Sequence, residues 1–363
     1  MTPNIDKDEI TIDYTVNGSL TNQRLEIDIS FKDSLIAKDT LQLTVNKGSR
    51  TIHLNDFHVH NPGRLWSPEH PNLYDITFRI KEGDQAVDEV SSYFGMRKIS
   101  VENGVVMLNN RPYYMKLVLD QGYFPKGILT PPSDEAIRND VSLTKEMGFN
   151  GARKHQKVED PRYYYWADRL GLLVWGEMAN CYTYTNDAVR RMTDEWQKAV
   201  ERDYNHPSIV AWVPVNESWG VPKLLADKRQ QAHTLSMYYL TKSLDQSRLV
   251  ISNDGWEHTK SDLCTIHDYE SVKSTLVERY SSLEKILSST PGKRLIHVPG
   301  YEYEGEPIQV TEFGGIAYKK KRLGRLGLLR GAKRRRFCGA VLCGHLSNTG
   351  ISAHSRLLLY AAD

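Results

Sequence analysis

The chain has 363 residues, of which 40% are hydrophobic, 10% aromatic and 25% charged. That length fits two domains and that composition is globular, which excludes a disordered or fibrous chain. The formal net charge of +2 conceals an asymmetry: residues 319–363 hold eleven Lys and Arg against one acid, Asp363, so residues 1–318 carry 36 basic and 44 acidic side chains, a net of −8.

In chain order, the opening MTPNIDKDEI has neither the basic nor the apolar segment of a secretion leader. Residues 1–98 then read as β structure. The runs 25–31, 41–46, 49–55, 74–80 and 90–96 alternate apolar and polar residues, with turn signals at Asn17-Gly18, Lys47-Gly48, Asn61-Pro62-Gly63 and Glu82-Gly83-Asp84. Short strands at this spacing without helices predict a small antiparallel sandwich.

From about residue 100, strands alternate with helices. Apolar runs at 113–119, 148–153, 171–178, 208–215, 248–252, 262–267 and 307–311 read as buried parallel strands. Ser133 is placed to cap a helix, and Asp160-Pro161 makes a cap and first-turn pair for a second. The stretches 186–204 and 271–289 carry apolar residues at helical spacing. The alternation predicts an α/β domain of the (β/α)8 barrel type, with seven strands recognised and the eighth sought past Glu312. There the basic tail begins; it has no Trp, and Phe337–Cys343 is its best short strand, with no helix after it.

No stretch approaches the roughly 18 uninterrupted apolar residues of a membrane span. Cys181, Cys264, Cys338 and Cys343 are few and scattered, which suits a reducing cytoplasm better than a disulfide framework. Nucleotide-binding glycine loops, the HExxH zinc motif and the G-x-S-x-G elbow are all absent from the sequence.

Two acids stand out at strand ends. Glu217 follows the 208–215 run in Val215-Asn216-Glu217-Ser218-Trp219-Gly220, and Glu312 follows the 307–311 run. In a parallel barrel the C-terminal strand ends open on one face, where two carboxylates from opposite sides can flank one bond. Glycoside hydrolysis needs that pair: one carboxyl held protonated, one ionised. Each Glu can also merely cap the helix that follows it. Asp120, Arg153, His155, Glu177, Asn216, Trp219, Trp256, His267 and Tyr269 recur at or near the same ends and are read as sugar-binding side chains. Arg153 is placed to lie beside Glu312 and keep it ionised, or else to form a structural ion pair.

The motifs resemble glycoside hydrolase family 2, the group of β-galactosidases, β-glucuronidases and β-mannosidases. Leu65-Trp66-Ser67-Pro68-Glu69 with Leu73-Tyr74 resembles the end of that family's immunoglobulin-like domain. Phe94-Gly95-Met96-Arg97 and Leu108–Pro112 resemble its lead-in to the barrel, and Gly148–Arg153 its second strand. Asn216-Glu217-Ser218 resembles the acid/base motif and Thr311-Glu312-Phe313-Gly314 the nucleophile motif. The resemblance covers residues 1–318. It implies an immunoglobulin-like sandwich over 1–98 and a TIM barrel over 99–318, incomplete at strand eight. It further implies a retaining mechanism with Glu312 as nucleophile and Glu217 as acid/base, their carboxyls about 5 to 5.5 Å apart. Asn216 would bind the sugar 2-hydroxyl and Tyr269 would sit by the nucleophile.

The sequence departs from the family in four places. Nothing corresponds to a leading jelly-roll domain. His155 follows Arg153 by two residues where the family has three. Met178-Ala179-Asn180-Cys181 lacks the magnesium-binding Glu and His of large galactosidases, and no eighth strand ends in Trp. No metal and no cofactor is therefore expected. The abrupt loss of acids after Tyr318 is read as an out-of-frame tail rather than a basic arm. The expected function is hydrolysis of a terminal β-linked sugar, galactoside or glucuronide, in the cytoplasm. The alternatives are an impaired remnant of such an enzyme and, last, a nucleic-acid binder using the tail. The partner expected is a carbohydrate, no membrane is involved, and a homo-oligomer stays open.

Overall fold

The computed structural model describes residues 1–54, 62–314, 316–318, 329–331 and 358–362. The N-terminal unit packs two antiparallel sheets face to face. One contains β1 (Thr2–Asn4), β2 (Glu9–Thr15) and β5 (Lys47–His53). The other runs β4 (Ser34–Gln42), β3 (Gln23–Phe31), β6 (Tyr74–Glu82) and β7 (Gln85–Phe94). Period-two burial drives the packing: Leu25, Ile27, Ile29 and Phe31 of β3 all turn inward, onto Ile10, Ile12, Ile52, Tyr74, Ile76 and Phe94.

The strand expected at 41–46 begins earlier and ends sooner. A two-residue hairpin with Lys32 and Asp33 both at positive φ (49° and 64°) starts β4 at Ser34, and the chain turns at 43–46. Lys-Asp lacks the Asn-Gly signature of that turn, so the sequence does not announce it. Lys47-Gly48, expected as a turn, opens β5 instead.

A small meander links the two units: β8 (Ile99–Glu102), β9 (Val105–Leu108) and β10 (Arg111–Pro112). The barrel strands follow: β11 (Leu117–Asp120), β12 (Gly151–Lys154), β13 (Leu173–Glu177), β14 (Ile209–Val213), β15 (Leu249–Val250), β16 (Cys264–Asp268) and β17 (Ile308–Phe313). They pair in parallel from β15 through to β11 and again as β16–β17, and residues of β12, β13, β14 and β16 are buried throughout. Beyond β15, Asn216 bridges Asp254 in parallel and His267 N donates to Gly255 O (3.1 Å), which joins the β14–β15 edge to β16.

Helices α1 (Asp134–Glu146), α2 (Pro161–Leu170), α3 (Asn186–Asp203), α4 (Lys228–Leu244), α5 (Lys273–Arg279) and α6 (Leu283–Ser288) fill the connections. Ser133 and Asp160 cap α1 and α2 through Ala136 N and Arg162 N, with Pro161 in the first turn. The single helix expected at 271–289 is two, because Ser282 caps a fresh start at Lys285 N. Helix α4 buries Gln230, Gln231, His233, Thr234 and Thr241, so no apolar stripe marks it in the sequence.

The eighth position, left open by the sequence reading, lies between β17 and β11. The backbone of Leu358–Ala362 (β20) occupies it, parallel to both neighbours, with Leu359 opposite Val310 and Ala361 opposite Val118. Two unpaired strand edges facing one gap are a strong demand for backbone partners, and a short apolar run meets it. Two other short segments, β18 (Ile316–Tyr318) and β19 (Leu329–Gly331), pair with each other. Phe337–Cys343, the strand suggested within the tail, and most of the basic run lie outside the described residues.

The sandwich is tied to the base of the barrel. Trp66, fully buried, donates from Nε1 to Asp168 O (2.8 Å), and Tyr93 Oη donates to Asp168 Oδ2 (2.9 Å). Arg97 reaches Pro207 O and Ile209 O at the start of β14. Gly95 sits where a Cβ would come within 2.8 Å of Pro207 Cβ, so the junction depends on its missing side chain.

Candidate active site

Parallel strands deliver their C-terminal residues to one face, and the chemistry-bearing side chains gather there around a single buried cation. Arg153, the third residue of β12, has a side chain with no exposed surface. Its Nε donates to Glu177 Oε2 (2.7 Å), its Nη1 pairs with Asp254 Oδ2 (2.7 Å) and Glu312 Oε1 (3.0 Å), and its Nη2 donates to Asn216 Oδ1 (2.8 Å). One guanidinium thus links β12, β13, β17 and the segments after β14 and β15. Its fork of donors suits such multiple carboxylate contacts, and a Lys could not span them.

His267, the fourth residue of β16, is equally enclosed. Its Nε2 lies 3.1 Å from Asp254 Oδ2 and 3.5 Å from Glu312 Oε1, and its Nδ1 lies 2.7 Å from Glu217 Oε1. Tyr269 Oη donates to Glu312 Oε2. Thr311 Oγ1 donates to the other oxygen of Asp254 (2.9 Å). Glu217 and Glu312 come together at the centre: together with His267 they present three side-chain atoms all within 4.8 Å of one another.

Burial opposes ionisation of Glu312, but the charges of His267 and Arg153 and the Tyr269 hydroxyl outweigh it and hold its carboxyl below the usual Glu range. The same contest leaves Asp254 well below the usual carboxylate range, through Arg153 and His267. Burial favours a neutral His267 ring, yet Glu312 and Asp254 lift it to about 9. Burial and the Glu312 charge push the Tyr269 hydroxyl up, so it stays a donor. In Glu177 burial raises the carboxyl against the pull of Arg153.

The turn carrying Glu217 is strained. Glu217 and Ser218 both have positive φ (52° and 57°), which costs an ordinary residue about 1–3 kcal/mol each. The surroundings hold them there: Glu217 N donates to Asp254 O (3.0 Å), Ser218 N to Asn253 Oδ1 (2.8 Å) and Ser218 Oγ to Glu257 Oε2 (2.6 Å). Asn180 completes the frame, its Oδ1 accepting from Asn216 N and its Nδ2 donating to Pro214 O (2.8 Å each).

Several residues expected to touch sugar are placed otherwise. Arg153, Glu177 and His267 have fully enclosed side chains, so they orient the carboxylates rather than face a cleft. Asp120 is engaged by Lys154 Nζ (2.5 Å) and Gly122 N (2.7 Å). Trp219 is 40% exposed, its ring meets that of Tyr182 edge to face at 5.4 Å, and its backbone N donates to Asn216 O (2.9 Å). Trp256 packs edge-on against the His267 ring at 5.4 Å with its Nε1 buried and unpartnered among the described residues. His155 reaches Arg153 Nη2 (3.1 Å) and lies 3.7 Å from Glu312 Oε1, partly exposed. Asn216 Nδ2 is buried without a partner among the described residues. Since its Oδ1 is fixed on Arg153, that amide has only its donors free. The sequence reading undervalued Asp254 and Asn180; both follow strand ends, and that position was their only signal.

Glu217, His267 and Glu312 also form a possible ligand set for a cation. The Glu312 carboxylate is already engaged by Arg153 and His267 and the Glu217 carboxylate by His267, so a divalent ion would compete with these partners. Asn180 is committed to Pro214 and Asn216.

Family models match on both units: "Glycosyl hydrolases family 2" over residues 1–97, and "Glycosyl hydrolases family 2, TIM barrel domain" over residues 99–314. The chain belongs to glycosyl hydrolase family 2. Among curated relatives, a provisionally named β-glucuronidase of Formosa agariphila is 28% identical over 61% of this chain and 27% of its own length. A β-galactosidase of Leuconostoc mesenteroides is 30% identical over 62% of this chain and 21% of its own length. The chain thus spans about a quarter of the curated family 2 proteins it matches. Among solved structures, a family 2 β-galacturonidase of Eisenbergiella tayi bound to galacturonate shares the fold, with a TM-score of 0.73 at 20% identity, over 100% of this chain and 63% of that one. No helix among the described residues is long and apolar enough to cross a membrane.

Proposed function

We propose that this chain carries the catalytic centre of a retaining β-glycosidase. The observation that supports the reading most is the pairing of Glu217 and Glu312, whose selected carboxylate oxygens lie within 4.8 Å of each other. So close an approach of the two carboxylates supports the short spacing of retaining enzymes, about 5–5.5 Å between carboxyl groups, over the about 6.5–9.5 Å of inverting ones. The electrostatics support the roles proposed for the pair. Glu312 is held ionised by His267 and Arg153 and is the nucleophile. Glu217, more exposed at 23% and carried on the strained turn, is the acid/base.

In the first step Glu312 attacks the anomeric carbon while the glycosidic C–O bond breaks and Glu217 gives its proton to the departing oxygen. In the second, water attacks the same carbon, Glu217 takes the water proton, and the bond to Glu312 breaks. Asn216, enclosed like Arg153, holds the guanidinium through Oδ1 (2.8 Å) and so helps to orient the pair. Tyr269 holds the nucleophile in line. The names of the curated relatives favour a terminal β-galactoside or β-glucuronide as substrate. The intact network around Arg153 favours an active centre over an inert remnant.

Aryl β-galactosides, β-glucuronides and β-galacturonides, assayed with the wild-type chain and with Glu312→Ala and Glu217→Ala, test the reading. Hydrolysis lost in Glu312→Ala, and a β-anomer as the first product by proton NMR, are expected. Unchanged activity in Glu312→Ala, or an α-anomer formed first, refutes it.

A further inference from the structure

His267 was read from the sequence as a sugar contact, yet its ring is sealed from solvent and lies against the carboxylate assigned as acid/base. Resting on the retaining reading above, we propose that His267 is the positioning residue and proton partner of Glu217, the two sharing the single proton that reaches the leaving oxygen.

The geometry leaves the ring little choice. Nε2 faces Asp254 Oδ2 at 3.1 Å and Nδ1 faces Glu217 Oε1 at 2.7 Å. An ionised carboxylate only accepts, so Nε2 must carry hydrogen toward Asp254, and one further proton must lie between Nδ1 and Oε1. The ring is seated by Gly255, where a Cβ would come within 2.6 Å of Nδ1 and where φ is +101°. Gly255 N is anchored on Thr265 Oγ1 (2.9 Å) and its carbonyl accepts from His267 N (3.1 Å). Trp256 closes the remaining side.

The charged groups around the ring come from every packed element: Glu217 after β14, Asp254 after β15, Glu312 on β17 at 3.5 Å, and Arg153 on β12 at 3.4 Å from Nε2. His258, also after β15, adds a weaker effect, with its own ring pushed toward the neutral form first by burial. Three carboxylates against one guanidinium leave the site short of positive charge, and an imidazolium supplies it. Burial works against that charge, but Glu312 and Asp254 prevail.

The proton then has a route that balances. In the first step the His267 Nδ1–H bond breaks, Glu217 Oε1–H forms and breaks again, and the hydrogen ends on the glycosidic oxygen as its bond to the sugar parts. The ring is left neutral and Glu217 ionised. Glu312, now an ester, has lost the charge that most strongly favours the imidazolium. When water attacks, its proton passes to the Glu217–His267 pair and Glu312 is released as carboxylate, restoring the starting state.

The test uses the full chain and His267→Gln, with pH profiles of kcat and kcat/KM on two β-glycosides of the same sugar. One has a dinitrophenyl leaving group that needs no protonation, the other a methoxyphenyl group that does. General acid catalysis predicts a loss of about tenfold or more in kcat/KM on the methoxyphenyl glycoside against less than about threefold on the dinitrophenyl one, with the alkaline limb moved to lower pH. Equal losses on both with an unmoved limb would show a structural role only and overturn the proposal. Should His267→Gln not fold, nitrogen NMR of histidine-labelled wild type and Glu217→Gln decides. A doubly protonated His267 at neutral pH whose titration falls in Glu217→Gln is expected; a neutral ring, or one indifferent to Glu217, overturns the pairing. A wild type inactive on every glycoside, or active as Glu312→Ala, strikes the retaining reading and leaves the NMR result to judge the pair.

Discussion

Replacing Arg153 by Met keeps most of its length and removes the one guanidinium shared by Glu177, Asp254 and Glu312, at 2.7, 2.7 and 3.0 Å. Removing one partner of a buried ion pair costs about 3–5 kcal/mol, because the charge left behind cannot be solvated. Asp254 has both oxygens engaged and stays anchored to His267, and Glu312 keeps Tyr269, so a value within that range is expected rather than its multiple. For a barrel of this size each kcal/mol moves the melting temperature by roughly 2–4 °C, giving a fall of roughly 6–20 °C at neutral pH. The pH dependence carries the sharper test. In the wild type Asp254 and Glu312 fold with lowered values, so their contribution is complete above the ordinary carboxylate range and is lost only as pH falls through the folded values. Asp254 loses its largest opposing charge with Arg153, so its burial is expected to prevail and raise its folded value above the unfolded one. The sign then reverses for Asp254, and stability is lost as pH rises through that value. Thermal unfolding followed by circular dichroism should therefore show Arg153→Met closer to wild type near pH 5 than near pH 7. A loss under about 1 kcal/mol at neutral pH, or the same loss at both, would refute Arg153 as the charge that holds the site together.

Tyr269→Phe removes the hydroxyl on Glu312 Oε2; kcat on an aryl β-glycoside should fall about a hundredfold with little change in KM, and a change under threefold would contradict the contact. Because Glu312 must be ionised to attack and is held below the usual Glu range, the acid limb of kcat/KM should lie below about pH 4.3; a limb above about pH 5 counts against that assignment. Trp66→Ala empties a fully buried site at the junction and loses the bond to Asp168 O, at an expected 3–5 kcal/mol or so in thermal unfolding, with sandwich and barrel separating into two transitions. Leu359→Pro removes a backbone donor from a strand flanked on both sides and should cost about 3 kcal/mol or more; an unchanged melting temperature would mean that β20 contributes nothing to the barrel.

What the sequence made legible follows from which forces are local. The alternation Leu25, Ile27, Ile29 states its inward face residue by residue, and Ser133 and Asp160-Pro161 state helix starts through a cap bond that spans only two or three residues. Strand ends announced Glu217 and Glu312 because a parallel barrel sends all of them to one face. What stayed hidden was set by contacts distant in sequence. Helix α4 hides because its buried face is polar, satisfied by groups such as Leu224 O and Thr259 Oγ1. β20 hides because its position is defined by the two edges it fills, not by its own pattern. The division between residues on the open side and residues that hold the carboxylates was invisible for a related reason. Arg153, Glu177 and His267 sit at strand ends exactly as a ligand contact would, and only the depth of packing distinguishes them.

The two units meet at the opposite end of β14 from Glu217, and that placement has mechanical meaning. Arg97, from the segment that leaves the sandwich, and Arg248 both donate to Ile209 O at the first residue of β14 (2.8 Å each). Four residues beyond the end of β14 lies Glu217, in a turn that costs energy to maintain and is held by bonds to Asp254 O, Asn253 and Glu257. Strand β14 is thus pinned at its base by two guanidinium groups and at its tip by the strained turn, with five fully buried residues between. A strand fixed at both ends cannot slide in register, so the Glu217 carboxyl stays at the level of Glu312 on β17. Sub-ångström placement of reacting groups is what such chemistry requires. The sandwich therefore serves the site without approaching it: by bracing the start of β14, it fixes the height at which Glu217 is presented.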